Sequence, residues 1–140
     1  LVSSFVGAGR AHVWHVAASR GPTAYTTFTS TTERLVARRA EFKAMLRGLA
    51  RTLAWVAASP PEALADLVAP FFPDLPRPLL IGALGRYKRQ SLWTVDPFYP
   101  EEAFTRLETA MHSAGAITRK PGFAATADNA IVAEALSEAR

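Results

Sequence analysis

The chain of 140 residues contains no cysteine, which excludes disulfides, thiol catalysis and a zinc–thiolate site and leaves the redox compartment open. No stretch approaches the roughly 18 consecutive apolar residues of a membrane span, so direct membrane insertion is not expected. Histidine occurs three times. No HExxH pattern, Walker lysine, nucleophile elbow or close pair of catalytic carboxylates accompanies it. Gly7-Ala8-Gly9 lacks a third glycine and precedes an extended stretch instead of opening a helix, so it reads as a turn and not as a dinucleotide loop. Residues 1–9 have neither a basic n-region nor a long apolar run, and no secretory signal is visible. Catalysis, a cofactor and a bound metal therefore have no support, and the chain is not expected to be an enzyme.

What is present is a globular composition, 49% apolar and 20% charged. A single domain of this length buries roughly two-thirds of the surface its unfolded chain exposes. Ten prolines cut the chain into short elements. The net charge is +4, and 13 of the 16 basic residues are arginine, a balance that suits nucleic acid, anionic membrane or acidic ligands without choosing among them.

The longest helical pattern is Ala40 to Ala58. Phe42, Leu46, Leu49, Leu53 and Val56 recur at three- and four-residue steps and form one apolar stripe that must be buried. Arg39, Lys43, Arg47 and Arg51 make a basic ridge expected to stay in water. Ser59-Pro60-Pro61 ends the run, because proline pushes its predecessor out of the helical region. Before it, Leu1 to Phe5 reads as the last turn of a helix begun earlier, stopped by Gly7 and Gly9, which suggests a truncated start. Arg10 to Ala18 and Ala24 to Ser30 have the aromatic and β-branched enrichment of two strands joined by Arg20-Gly21-Pro22. Ser30, Thr31 and Thr32 offer caps for a short helix from Thr32 to Arg38. After the long helix, Ser59 is a candidate cap for a two-turn helix carrying Leu64, Leu67 and Val68. Asp74 is a candidate cap for a helix from Pro76 to Gln90. Pro100 opens a helix to Ser113 with Phe104, Leu107 and Met111 on one face, stopped by Gly115 in a left-handed cap. The last helix expected is Ala127 to Ala139.

His12 and His15, three apart in a strand, point to opposite faces and do not chelate one ion. His112 stands alone on a helix. The basic ridge suits phosphates in principle, but no recognition helix and no interleaved aromatics other than Trp55 accompany it. Tyr25 to Thr32 is more suggestive: a hydroxyl-dense strand runs into a helix N-terminus, where free N–H groups and hydroxyls accept an anion.

The order and spacing of Tyr25-Thr26-Thr27-Phe28, Trp55 with Ser59-Pro60, Phe71-Phe72-Pro73, Arg86-Tyr87, Leu92-Trp93, Asp96-Pro97, Phe104, Leu107, Ala114-Gly115 and Asp128-Asn129 resemble the C-terminal part of the nitrate/sulfonate/taurine and thiamine-pyrimidine-precursor class of ABC-transporter substrate-binding proteins. The resemblance implies an α/β fold, the C-terminal portion of a two-lobed type II periplasmic-binding-protein architecture, mostly helical with one or two strands. Residues 1–22 would end one lobe, residues 23–30 would form the hinge strand, and residues 31–140 would wrap the other lobe. It further implies a periplasmic solute-binding component that captures a small organic anion or heteroaromatic compound. Its partners would be an ABC permease and a missing N-terminal half, with self-association as a substitute for the latter. Tyr25, Thr26, Thr27, Ser30, Thr31 and Trp93 are the expected cleft contacts, the hydroxyls for an anion and the aromatic faces for a flat ligand. Where the family has a proline leading into the long helix, this chain has Arg38-Arg39-Ala40. The absence of cysteine argues against the pyrimidine-synthesising enzymes of the same fold.

Two other functions fit the same residues. A basic helical nucleic-acid module predicts salt-dependent binding weakened by loss of Arg47 and Arg51. A structural segment that only packs against a partner predicts exposed apolar faces and self-association.

Overall fold

A computed structural model describes residues 2–138. Helices follow one another in the order α1 (Val2–Gly7), α2 (Thr32–Ala37), α3 (Arg39–Ala58), α4 (Pro61–Val68), α5 (Arg77–Arg89), α6 (Glu101–Ser113), α7 (Phe123–Thr126) and α8 (Ala130–Ser137), with 3-10 turns at Ala17–Arg20 and Ala69–Phe71. Among the described residues there is no strand, so the fold is all-α and the α/β expectation is wrong. Arg10 to Val16 and Ala24 to Ser30 are irregular chain. The physical reason is that β-propensity measures packing against cross-strand neighbours, and two short strands without a third strand or a covering helix are marginal in water. Trp14 and Tyr25, the aromatics that suggested strands, are 93% and 85% exposed and have no sheet face to cover.

By contacts the chain divides into two compact units, one made of residues up to Arg20 with Thr52–Val95, the other of Gly21–Arg51 with the chain from Asp96 onward. Helix α3 contributes its first part to the second unit and its last part to the first. Its five-residue stripe is only half-buried throughout.

In the first unit α4 packs on α5, burying Leu64 and Ala65 against Leu80 and Gly85. A Cβ at Gly85 would sit 3.4 Å from Pro61 Cγ, so the missing side chain sets how closely these helices approach. Asp66 on α4 accepts two hydrogen bonds, 2.6 and 3.0 Å, from the Arg77 guanidinium at the start of α5. Ser59 is not the cap of α4: Pro60 holds that position in extended conformation with Pro61 in the first turn. Asp74 likewise leaves the cap of α5 to Pro76. The Lys88 ammonium donates to the carbonyls of Val56 and Ala57, each at 2.9 Å, and to that of Ser59. A cation thus satisfies acceptors that the end of α3 leaves open where proline forbids a glycine-type cap. Helix α5 closes over Ser91, which adopts φ 49°. Trp93 then meets Tyr87 edge to face at 5.8 Å.

In the second unit the centre is aromatic. Tyr99, Phe104 and Phe123 contact one another edge to face at 5.6 to 6.0 Å, beside buried Ala103, Ile131, Val132 and Ala135. Asn129 binds the Tyr99 backbone as a strand would, its Oδ1 accepting from the Tyr99 N–H (2.9 Å) and its Nδ2 donating to the Tyr99 carbonyl (3.0 Å). Glu108, nearly buried, accepts from the Gly122 N–H at 2.7 Å, which fixes the entry to α7. Burial raises the Tyr99 phenol above its ordinary range. Arg106 donates to the Pro22 carbonyl (3.0 Å) and to Glu102 (2.9 Å). Gly115, at φ 70°, ends α6 as expected. Of the final helix expected over 127–139, residues 130–137 form α8; residue 139, like residue 1 at the other end, lies outside the described residues.

Candidate interaction surface

The N-terminal arm is built from a helix too short to hold itself. Six residues cannot offset the nucleation cost of a helix in water, and α1 is supported instead by α5, on which it packs. Gly9 (φ 66°) reverses the chain, the Arg10 N–H returns to the Phe5 carbonyl (2.9 Å), and the Arg10 guanidinium lies 5.4 Å from the centre of the Phe5 ring. The extended residues that follow form with α1 an open depression of about 400 Å³ walled by Val2, Phe5, Val6, Val13 and Trp14. His12 and His15 line the same depression, which they can do because the segment is not a strand. Among the described residues no group of three His, Asp or Glu side chains is placed to hold a metal.

The expected cleft contacts are divided between the two units. Tyr25, Thr26, Thr27, Ser30 and Thr31 lie along an exposed segment of the second unit. Thr31 caps α2, accepting from the Arg34 N–H at 3.3 Å, and Ser30 Oγ donates to the Thr31 carbonyl at 3.3 Å. With six residues, α2 has little dipole to offer an anion. Trp93 belongs to the other unit, where it is engaged by Tyr87.

The basic ridge of α3 is not simply in water either. Arg39 pairs with Glu134, Lys43 with Glu138, and Arg47 Nη1 lies 3.5 Å from Glu138. The Arg39 guanidinium holds the Glu134 carboxyl below the usual range and is itself raised by it. A second depression of about 240 Å³, beside Phe42 and Met45, is rimmed by the Arg38–Glu41 pair, in which the Glu41 carboxyl is likewise lowered.

One sequence signal of the arm went unread: no Asp or Glu occurs before Glu33, whereas Arg10 and Arg20 do. The apolar depression therefore sits in a carboxylate-free stretch. Such an arrangement can take up apolar side chains and attract negative charge.

No protein-family model matches the chain, and neither a curated protein nor a solved structure does. Among the described residues no helix is long and apolar enough to cross a membrane.

Proposed function

We propose that this chain is a helical packing module, which acts by burying exposed apolar surface against another polypeptide and carries out no reaction of its own. The observation that supports this is exposed apolar surface: Trp14, Tyr25 and Phe71 are each more than three-quarters exposed, and Leu67, Val13, Phe28 and Val95 are at least half exposed. Large apolar patches on a folded chain mark interaction surfaces. The α/β lobes on which solute capture was expected are replaced by an all-α fold, and Arg39, Lys43 and Arg47 of the α3 ridge are paired with carboxylates. The test is sedimentation velocity over a range of concentrations with an environment-sensitive apolar dye. Concentration-dependent association with dye binding is expected; a dispersed monomer that leaves the dye dark overturns the proposal.

A further inference from the structure

We infer that the depression between α1 and the Arg10–Val16 segment is the seat of an acidic amphipathic helix of a partner polypeptide. This rests on the packing-module reading and names its site and its partner chemistry. Three observations carry it. The surface is an open apolar depression, which accepts apolar side chains of a partner. Trp14, at 93% exposure, is a large rigid anchor with nothing to bury it, and tryptophan is among the residues that most often dominate interface energetics. The charge is one-sided. Arg10 lies over the Phe5 wall of the depression, and no Asp or Glu occurs in the chain before Glu33.

The stretch that walls the depression has no carboxylate and carries Arg10 at its edge, so the complementary occupant is acidic. Arg10 fixes how such a helix would lie. Its guanidinium rests on the Phe5 ring at the wall of the depression, so a carboxylate paired with Arg10 places the apolar side chains three and four positions away over Phe5 and Trp14.

The test uses the full chain and labelled peptides of about 18 residues, the length of a typical groove-bound helix. One peptide carries leucines at i, i+3, i+4 and i+7 with glutamates opposite; a second replaces every glutamate with lysine; a third scrambles the first. Fluorescence anisotropy should show binding of the first peptide only, weakening from low to physiological salt. Trp14→Ser and Arg10→Glu should each weaken it at least about tenfold, as expected at an anchor. Trp14 is so exposed that its loss leaves the fold intact, which circular dichroism checks. Phe71→Ser, at an exposed aromatic remote in sequence, should bind as the parent does. Equal binding of the lysine peptide, unchanged binding by both arm variants, or binding of phosphatidylserine vesicles without binding of the peptide overturns the site. If Phe71→Ser alone weakens binding, the seat is elsewhere and the packing-module reading stands. If no peptide binds and the chain neither self-associates nor takes up the dye, both fail.

Discussion

Arg39 and Glu134, 95 positions apart, meet through two parallel hydrogen bonds, Nη2 to Oε1 at 2.5 Å and Nε to Oε2 at 3.1 Å. With Lys43 and Arg47 reaching Glu138, they tie the first half of α3 to α8 within one unit. The carboxylate spacing of four on α8 matches the basic spacing of four on α3, so successive turns pair with successive turns. The link is made by long, half-exposed side chains, and exposed ion pairs contribute little individually.

Its pH dependence has a definite sign. The Glu134 carboxyl is held below its ordinary value, first by the Arg39 hydrogen bond. A depressed carboxyl adds stability above its unfolded value, about 4.3 for glutamate, and that contribution is lost as the pH falls through the folded value. Asp66 and Glu41 act in the same direction through Arg77 and Arg38. Glu134→Gln should therefore lower the neutral melting temperature slightly and flatten, by the same small amount, the loss of stability below about pH 4.3. Thermal melts by circular dichroism at stepped pH check this; a variant whose acid limb superimposes on the parent's shows that the pair contributes nothing.

Phe104 touches both other rings of the aromatic centre and is 8% exposed. Truncating it removes two edge-to-face contacts and opens a cavity where little other apolar mass is buried. Phe104→Ala should cost about 3 to 5 kcal/mol in urea unfolding and lower the cooperativity of the transition. The same change at Phe28, 73% exposed, should stay within about 0.5 kcal/mol. Equal effects at the two positions would show that the aromatic centre is not a core.

Much of the helical layout was legible. The leucine spacing of α3, Pro100 before the acids of α6 and the left-handed Gly115 are local signals that the fold obeys. The absence of the two expected strands was not, because Arg10–Ala18 and Ala24–Ser30 carry β-propensity without neighbours to pair with, and a sequence does not display the absence of a third strand. Ser59 was read as a cap from its identity, yet the proline after it took the extended position and left the Ser59 carbonyl to Lys88. The α3 ridge was visible, but its partners Glu134 and Glu138 lie too far along the chain for periodicity to reveal them. Leu92-Trp93 and Arg86-Tyr87, two pairs behind the family resemblance, have a local use here, since Tyr87 and Trp93 pack on each other across the end of α5. The apolar arm was hidden because its residues were assigned to a strand.

Ser91 carries the one left-handed backbone angle outside glycine among the described residues, φ 49°, where α5 ends and the Leu92 N–H reaches back to the Tyr87 carbonyl at 3.0 Å. A non-glycine residue in this conformation costs roughly 1 to 2 kcal/mol, part of which glycine gives back through its freer unfolded chain. Ser91→Gly should stabilise by about 0.5 to 1 kcal/mol, and Ser91→Val should destabilise by more than that. Urea midpoints at constant slope measure both; a loss of stability in the glycine variant would mean that the Ser91 side chain matters more than its backbone.

Lys88 offers a sharper test because one ammonium serves three carbonyls. Val56, Ala57 and Ser59 end α3 just before two prolines, so no residue there can turn back and donate its own N–H to them. Lys88→Met keeps most of the aliphatic stem and removes only the donors. The Ser59 residue is nearly buried, so its carbonyl cannot simply turn to water. The loss should be about 1 to 3 kcal/mol, the range for leaving buried acceptors unpartnered. Hydrogen exchange separates this from general destabilisation. Amides in the last turns of α3 should exchange faster in Lys88→Met while those around Phe104 keep their protection relative to global stability. Uniform acceleration across the chain would mean that Lys88 supports the whole fold and not the end of one helix.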